Sequence, residues 1–392
     1  MRIGWLVRHI FQKTIGGVER HIDAHSRWMR SWGHEVELWS SEYPKGCREE
    51  LPDGRKIFGL GLRPVPSSLW RIAPLCRVID AVQRLPDRFD AVFSADHLLT
   101  ASWALRNSGV PIIYCPGGTV IGTTQWHFPV LRDDGWLRSF LQPARQYLLA
   151  EKICLQRVAG IAPVSEAVKR QMLSVHPGCA GRMRVIHLGY EPDDLLPRHP
   201  SPVFTVVCVA RLHPIKNIDF LIRAWRQVTF SPKRLVLVGD GEERIKLQTL
   251  SAELGLGGSV EFAGERHDVP RWLAGSDVFI LPSRYEACPL AVLEAMGTGL
   301  PCLTLRSVAG ISDVAASGEL NVEGETGLFA DPEDPRDLAE QITYLADHPE
   351  VRDRMGWASR HRALTHFTWE QAARKYMQFA EDLIQGRRIR IA

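Results

Sequence analysis

The strongest fold signal in this chain lies in residues 277–301, which read DVFILPSRYEACPLAVLEAMGTGLP. The apolar run at its start predicts a buried strand of a parallel sheet, and Pro282 ends that strand. Pro289 suits the first turn of a helix, where its missing N–H costs no hydrogen bond. Good helix formers follow, and Gly297 and Gly299 end the predicted helix. A strand, a loop and a helix in this order place a ligand at the carboxyl edge of an open α/β sheet.

Two glutamates within this stretch are candidate ligand-binding residues. Glu286 lies in the predicted loop, and Glu294 lies about one turn into the predicted helix. A carboxylate on that first-turn face can reach hydroxyl groups of a ligand held at the helix N-terminus, where free N–H groups favour an anion such as phosphate. Taken alone, the two glutamates are equally compatible with an ordinary exposed helix face.

The spacing of these residues resembles the signature of a known family. E-x7-E followed by A-M-x-x-G-x-P is similar to the motif of the retaining glycosyltransferases of family 4. The resemblance implies an α/β protein with the GT-B fold, in which two Rossmann-like domains with parallel sheets face one another and a C-terminal helix crosses back. It also implies that Glu286 is a catalytic residue beside the donor sugar, and that Glu294 binds the ribose hydroxyls of the nucleotide.

Two cations at the end of another predicted strand support the same interpretation. Arg211 and Lys216 follow an apolar run over residues 204–210, and with Asn217 they resemble the R-x-x-x-x-K-N pattern of the family. In a loop at a strand end they can clamp both phosphates of a diphosphate, Arg as a planar fork and Lys as a point charge. Such a clamp also stabilises the leaving group as its charge grows.

The first half of the chain alternates strand-like and helix-like segments, beginning with a βαβ unit in residues 3–39. Gly16 and Gly17 precede its helix and allow the backbone to approach a phosphate closely. A similar loop faces the donor diphosphate in the family, so the resemblance makes both glycines donor-binding residues, together with Arg266 and Leu290. The chain lacks the G-x-G-x-x-G fingerprint, which disfavours an NAD enzyme.

The acceptor side departs from the family pattern. Many members have a histidine near one of two neighbouring strand ends, whereas the strand predicted over residues 111–114 ends here in Pro-Gly-Gly. The strand over residues 91–94 ends at Asp96 and His97, so one of these supplies the polar group as a candidate catalytic residue. The alternative is a structural hydrogen-bonding role, and the sequence leaves that choice open.

The domain organisation follows from the remaining patterns. Residues 184–189 predict a further strand, and the Pro-rich stretch after them is the best candidate linker. We therefore predict a Rossmann-like acceptor-binding domain over residues 1–190, a nucleotide-sugar-binding domain over residues 191–365, and a helix over residues 366–392 that crosses back. Residues 119–150 interleave aromatic and basic side chains, which predicts either a packed amphipathic helix or a surface that faces a membrane or stacks on sugars.

The composition bears on the cellular compartment of the protein and on the metals and cofactors that it binds. The 392 residues include no apolar stretch of the length that a membrane span needs, and the eight cysteines form no C-x-x-C pair. Zinc and a disulfide framework are thereby disfavoured, and a reducing cytoplasm is favoured. Because no D-x-D carboxylate pair is present, we expect no metal and no cofactor besides the nucleotide-diphosphate sugar, which is a co-substrate.

Charge is unevenly placed. Residues 1–190 carry 25 Lys and Arg against 16 Asp and Glu, whereas residues 191–392 carry 23 against 29. The basic half indicates either an anionic partner, such as the inner face of a membrane, or merely an uneven solvated surface. Nucleic acid is disfavoured, since no dense basic stripe accompanies a known binding module.

The resemblance implies a reaction. A sugar moves from a nucleotide-diphosphate sugar to an acceptor hydroxyl with retention at the anomeric carbon, and a UDP-sugar is favoured over a GDP-sugar as donor. The acceptor is a glycan, a lipid-linked molecule or a small molecule. Two alternatives remain, a nucleotide-sugar hexosamine 2-epimerase and a catalytically inactive sugar-binding scaffold.

Overall fold

The chain forms two compact units in a computed structural model. Unit 1 comprises residues 1–188 and 369–392, and unit 2 comprises residues 189–368. The residues that the structure describes are 1–7, 17–40, 43–44, 46–60, 89–95, 108–116, 152–199, 201–307 and 315–386. Each unit is built on its own sheet.

Unit 1 begins with a βαβ unit. Among the described residues up to 188, its strands and α-helices are β1 (Arg2–Val7), α1 (Gly17–Ser31), β2 (Glu35–Ser40), β3 (Arg48–Glu50), β4 (Lys56–Gly59), β5 (Ala91–Ser94), β6 (Ile112–Tyr114), β7 (Gly160–Ile161) and α2 (Glu166–Val175). The sheet has the order β3-β4-β2-β1-β5-β6-β7. Its strands are parallel except for β3, which runs antiparallel to β4. Apart from β3, this is the doubly wound Rossmann order.

The prediction of a strand over residues 184–189 is wrong. This segment makes only isolated bonds to the sheet, because the Arg184 N–H donates to the Ile161 carbonyl and the Ile186 N–H donates to the Pro163 carbonyl, each at 3.0 Å. Pro163 has no N–H to return a bond, and β7 ends two residues before it. The ladder therefore stops, and the segment lies along the sheet edge without becoming a strand.

Unit 2 is a second doubly wound α/β layer. In its described part, the strands and α-helices are β8 (Phe204–Val209), α3 (Ile218–Gln227), β9 (Lys233–Val238), α4 (Arg244–Glu253), β10 (Val260–Gly264), α5 (Val269–Ala274), β11 (Val278–Leu281), α6 (Leu290–Thr298), β12 (Cys302–Leu305), α7 (Ala315–Leu320), β13 (Gly327–Ala330), α8 (Pro335–Asp347) and α9 (Pro349–His366). The sheet is parallel throughout, in the order β10-β9-β8-β11-β12-β13. The predicted strand before Pro282 and the helix after Pro289 are confirmed as β11 and α6.

One glycine of the opening stretch has a different role from the one predicted. Gly299 caps α6 in the left-handed region with φ of 90°, as expected of a helix-ending glycine. Gly297 instead lies inside the helix. A Cβ there would lie 2.4 Å from Cε2 of the Tyr190 ring, so glycine is needed for packing and not for termination.

The chain returns to unit 1 through its last helix, α10 (Trp369–Ile384). This helix packs along α1 and places Tyr376 and Phe379 in the core with Trp5 and Phe93. The rings of Trp5 and Phe93 stack with their centroids 4.8 Å apart. Burial of these large rings joins the C-terminal segment to the N-terminal sheet.

Candidate functional site

The site is built at the carboxyl edge of the sheet in unit 2. Because the strands are parallel, the loops that follow β10, β9, β8 and β11 leave the sheet at the same edge. They span residues 265–268, 239–243, 210–217 and 282–289. The strand order reverses direction between β8 and β11, which is the topological switch point where open α/β sheets bind ligands.

A lysine and a glutamate meet across this switch point. Lys216 lies in the loop after β8 and Glu286 in the loop after β11, and Nζ of the lysine is 2.7 Å from Oε1 of the glutamate. Only 8% of the Glu286 side chain and 25% of the Lys216 side chain are exposed. Sequence analysis predicted that Lys216 binds the diphosphate of the sugar donor and that Glu286 lies beside its sugar. The tertiary structure brings the two side chains into direct contact.

The start of α6 adds a second polar feature beside this pair. The N-cap residue Pro289 makes no side-chain cap bond to the helix, and backbone N–H groups at such a helix start favour an anion. Leu290 is the first helical residue, and Glu294 is buried one turn later. This agrees with the prediction that Glu294 lies about one turn into the helix.

Arg211 lies in the same loop as Lys216 but points to a different carboxylate. Its Nη2 is 3.2 Å from Oε2 of Glu242, and 70% of its side chain is exposed. His213 lies on the other carboxylate oxygen, with Nε2 3.3 Å from Oε1. The His213 Nδ1 accepts a hydrogen bond from the Ile215 N–H at 3.1 Å, so a neutral ring carries its proton on Nε2, facing Glu242.

Glu242 is therefore held in a cluster of donors. A backbone N–H bond lowers the pKa of its carboxyl below the usual range, and the charges of Arg211 and of the protonated form of His213 act in the same direction. Sequence analysis did not select Glu242 or His213. The available signal was that both follow strands that end at the same edge of one parallel sheet.

The loops after β8 and β9 touch along their backbones. Gly239 has φ of 135°, and a Cβ there would lie 2.0 Å from the Ala210 carbonyl oxygen. The Leu212 N–H donates to the Asp240 carbonyl at 2.9 Å, and the Glu243 N–H donates to the Leu212 carbonyl at 3.0 Å. Residues on either side of Arg211 are thereby fixed by the neighbouring loop.

Arg266 lies farther along the same edge. Its guanidinium carbon is 5.2 Å from the centroid of the Trp272 ring, and its Nε is 3.8 Å from Oδ1 of Asp268. It follows β10, so β9 separates its strand from β8 and from the Lys216–Glu286 pair.

The remaining predicted residues belong to unit 1. Gly17 is the first residue of α1 and is exposed. Gly16, Asp96 and His97 lie outside the described residues, as does the aromatic segment over residues 119–150. Within the described part of the chain, no cluster of three or more metal-ligating side chains is found, and no helix is both long and apolar enough to cross a membrane.

Two family models cover most of the sequence. Residues 15–194 match the model described as Glycosyltransferase Family 4, and residues 197–362 match the model described as Glycosyl transferases group 1. The chain belongs to the family 4 glycosyltransferases. This family 4 member has the GT-B fold, with two Rossmann-like domains on parallel sheets, which confirms the family and the fold class that the E-x7-E stretch predicted.

Curated relatives of this family 4 chain include a full-length and a partial match. It is 24% identical over 425 aligned residues to the MMP alpha-(1->4)-mannosyltransferase of Mycolicibacterium hassiacum, covering 98% of both chains. It is 28% identical over 174 residues to an uncharacterized glycosyltransferase of Haemophilus influenzae, covering 43% of this chain. That match spans 48% of the relative, or about half its length.

Solved structures share the fold at low identity. Sucrose-phosphate synthase from Thermosynechococcus elongatus superposes with a TM-score of 0.79 at 19% identity, covering 98% of this chain and 99% of that one. Anabaena Alr3699/HepE in complex with UDP superposes with a TM-score of 0.75 at 18% identity, covering 97% and 100% of the two chains. Both likenesses span the whole GT-B architecture.

Proposed function

We propose that this family 4 glycosyltransferase is a retaining enzyme that moves a sugar from a nucleotide-diphosphate sugar to an acceptor hydroxyl. The observation that carries the proposal is the Lys216–Glu286 contact of 2.7 Å across the switch point between β8 and β11. A cation and a carboxylate at this position suit a ligand with a diphosphate at one end and hydroxyl groups at the other.

Each donor-side residue then has a role. Lys216 and Arg211 bind the diphosphate, Lys216 as a point charge and Arg211 as a fork once it leaves Glu242. Glu294 accepts hydrogen bonds from the ribose hydroxyls, and Glu286 positions the donor sugar. The first turn of α6, which begins at Leu290, contributes N–H groups to the phosphates.

The family resemblance assigns further roles in binding the donor and the acceptor. Arg266 borders the base at the end of β10, where Trp272 and Asp268 hold its guanidinium. In unit 1 the Gly16 and Gly17 loop binds the diphosphate, and Asp96 or His97 serves the acceptor.

The chemical step needs no protein base. The acceptor oxygen attacks the anomeric carbon on the face from which the diphosphate leaves. The bond between that carbon and the phosphate oxygen breaks, and the acceptor proton passes to the departing phosphate. Lys216 stabilises the charge that grows on this leaving group. Retention follows because attack and departure use one face of the sugar ring.

The co-substrates and the setting of the reaction are proposed as follows. We favour a UDP-sugar donor, since one fold neighbour was solved with UDP. We favour a metal-independent reaction, since the sequence lacks a D-x-D pair. The acceptor class is a glycan, a lipid-linked molecule or a small molecule. The basic charge of residues 1–190 favours peripheral contact with an anionic membrane surface. The scattered single cysteines favour a reducing cytoplasm.

The test is a panel of UDP-, GDP- and ADP-sugars with candidate acceptors. We expect one donor to release its nucleoside diphosphate, without added metal and in the presence of a chelator, and the product to keep the anomeric configuration when examined by NMR. An inverted product would contradict retention. A donor epimerised at C2 without transfer would identify the epimerase instead, and binding without turnover would identify a scaffold.

Membrane contact is tested separately by flotation of the full chain with vesicles. We expect vesicles that contain an anionic lipid to carry the protein and neutral vesicles to leave it behind, with the difference lost at high salt. Equal recovery with both vesicle types would remove the membrane proposal and would leave the transferase assignment untouched.

A further inference from the structure

An unusual backbone conformation lies directly beside the proposed phosphate-binding lysine. Asn217 has φ of 55° and ψ of 37°, and among the described residues it is the only non-glycine residue with positive φ. Left-handed backbone disfavours most side chains and is best tolerated by asparagine. Such a conformation persists only where its surroundings impose it, and it occurs often at functional sites.

The side chain of Asn217 does not cap the helix that follows it. Asn217 is the N-cap of α3, where asparagine commonly accepts a bond from the helix backbone, yet it makes no such bond. Its Oδ1 instead accepts a hydrogen bond from Nε of Arg284 at 3.1 Å. Only 2% of Asn217 is exposed, whereas Arg284 is an exposed residue, so the contact is partly buried.

This contact ties together the two loops that meet at the switch point. Arg284 belongs to the loop after β11, and its backbone N–H donates to the Ile215 carbonyl at 2.8 Å. Asn217 follows Lys216 in sequence, and Arg284 lies two residues before Glu286. The Lys216–Glu286 contact is therefore flanked by two hydrogen bonds between the same two loops.

We propose that Asn217 and Arg284 are a positioning pair that aligns Lys216 with Glu286 for sugar transfer. The left-handed turn at Asn217 sets the direction in which the chain leaves the 3-10 turn Pro214–Lys216, and Arg284 holds that turn against the loop of Glu286. This inference rests on the proposed function, since it assigns the pair to the same site. Small misplacements of aligned groups cost rate steeply, about 100-fold for 1 Å.

The test uses substitutions that remove the contact and preserve the backbone. Asn217→Gly keeps left-handed φ accessible and removes the acceptor, and Arg284→Met keeps the side-chain length and removes the donor. Each should lower kcat about 10-fold to 100-fold, with a smaller change in donor KM. The double variant should be no slower than the slower single variant, because both changes break one hydrogen bond.

A conservative variant and a matched control complete the design. Arg284→Lys returns a donor of similar reach and should recover part of the lost kcat. Arg234→Met removes an arginine that pairs with Glu261 at the opposite end of the sheet and should leave kcat unchanged. Thermal melting of every variant reports the folded fraction, so that rates refer to folded protein.

The outcomes separate the two proposals. Unchanged kcat with a lowered melting temperature would assign the contact to stability alone and overturn the positioning role. Losses that multiply in the double variant, or an Arg284→Lys enzyme as slow as Arg284→Met, would overturn it as well. If the unaltered protein releases no nucleoside diphosphate from any donor, the proposed function itself has failed.

Discussion

The two units bury polar side chains in opposite ways. In unit 1, His21 and His25 are enclosed by Trp5, Trp369 and Tyr376, with ring centroids between 4.4 and 6.4 Å apart. In unit 2, Lys216 and Glu286 are buried as oppositely charged partners at the edge of a sheet. The first arrangement favours neutral rings packed like other core residues, and the second favours charges that face a ligand site.

The comparison shows that burial alone does not identify a functional residue. Burial lowers the pKa of His25 to about 4, and burial, with the nearby charge of His25, also holds the pKa of His21 well below its usual value. These histidines are structural, since aromatic rings surround them. The His25 Nδ1 also forms a hydrogen bond with the His21 carbonyl oxygen at 2.6 Å. A buried polar group indicates function when its partner comes from another loop at a ligand-binding edge.

The largest expected effect is loss of the charge on Lys216. Lys216→Met should lower kcat/KM for the donor about 1,000-fold, because the leaving diphosphate loses the proposed cation that stabilises its growing charge. The measurement is the initial rate of nucleoside diphosphate release at varied donor concentration. Lys233→Met is the control, since this lysine lies at the start of β9, at the opposite edge of the same sheet. If Lys216→Met is as active as the Lys233→Met control, Lys216 does not stabilise the leaving diphosphate, and its burial beside Glu286 does not mark a ligand site.

An intermediate effect is expected from acid on the histidine cluster of unit 1. A histidine with a lowered pKa in the folded protein stabilises it above pH 6.5, and this stability is lost as the pH falls toward the folded pKa near 4. For His25 the loss between pH 7 and pH 5 is on the order of 2 kcal/mol. Urea unfolding at both pH values measures it.

His25→Gln is the variant that sharpens this measurement. Glutamine does not titrate, so the pH dependence of the free energy of unfolding should become shallower in the variant. Sugar transfer at pH 7 by the folded enzyme should stay near the unaltered rate. An equal pH slope in both proteins would show that other groups govern the acid response of unit 1.

The smallest expected effect concerns the carboxylate that holds Arg211. Glu242→Gln removes its charge and should free the arginine, so the dissociation constant for a nucleoside diphosphate should fall about twofold to fivefold, in keeping with the small energy of an exposed ion pair. Isothermal titration measures this constant. Weaker binding would mean that Glu242 orients Arg211 and does not compete with the ligand.

The sequence predicted much of unit 2 because its signals are local. The apolar runs of β8, β9 and β11, the proline at the start of α6 and the left-handed Gly299 all act within a few neighbouring residues. Two local predictions were wrong or incomplete because a distant residue intervened. Gly297 lies inside α6, where the packing of Tyr190 leaves no room for a Cβ, and residues 184–189 form no strand because Pro163 cannot return a hydrogen bond.

By itself, the sequence determined the family, the two doubly wound sheets and the choice of Arg211, Lys216, Glu286 and Glu294 as candidates, since motif spacing and hydrophobic period are properties of the chain. Only the tertiary structure decided that Lys216 meets Glu286, that Arg211 meets Glu242 and that Asn217 meets Arg284. Lys216 and Glu286 are 70 residues apart in sequence. Their meeting depends on the strand order, which places β11 beside β8 and is set by how whole helices and strands pack.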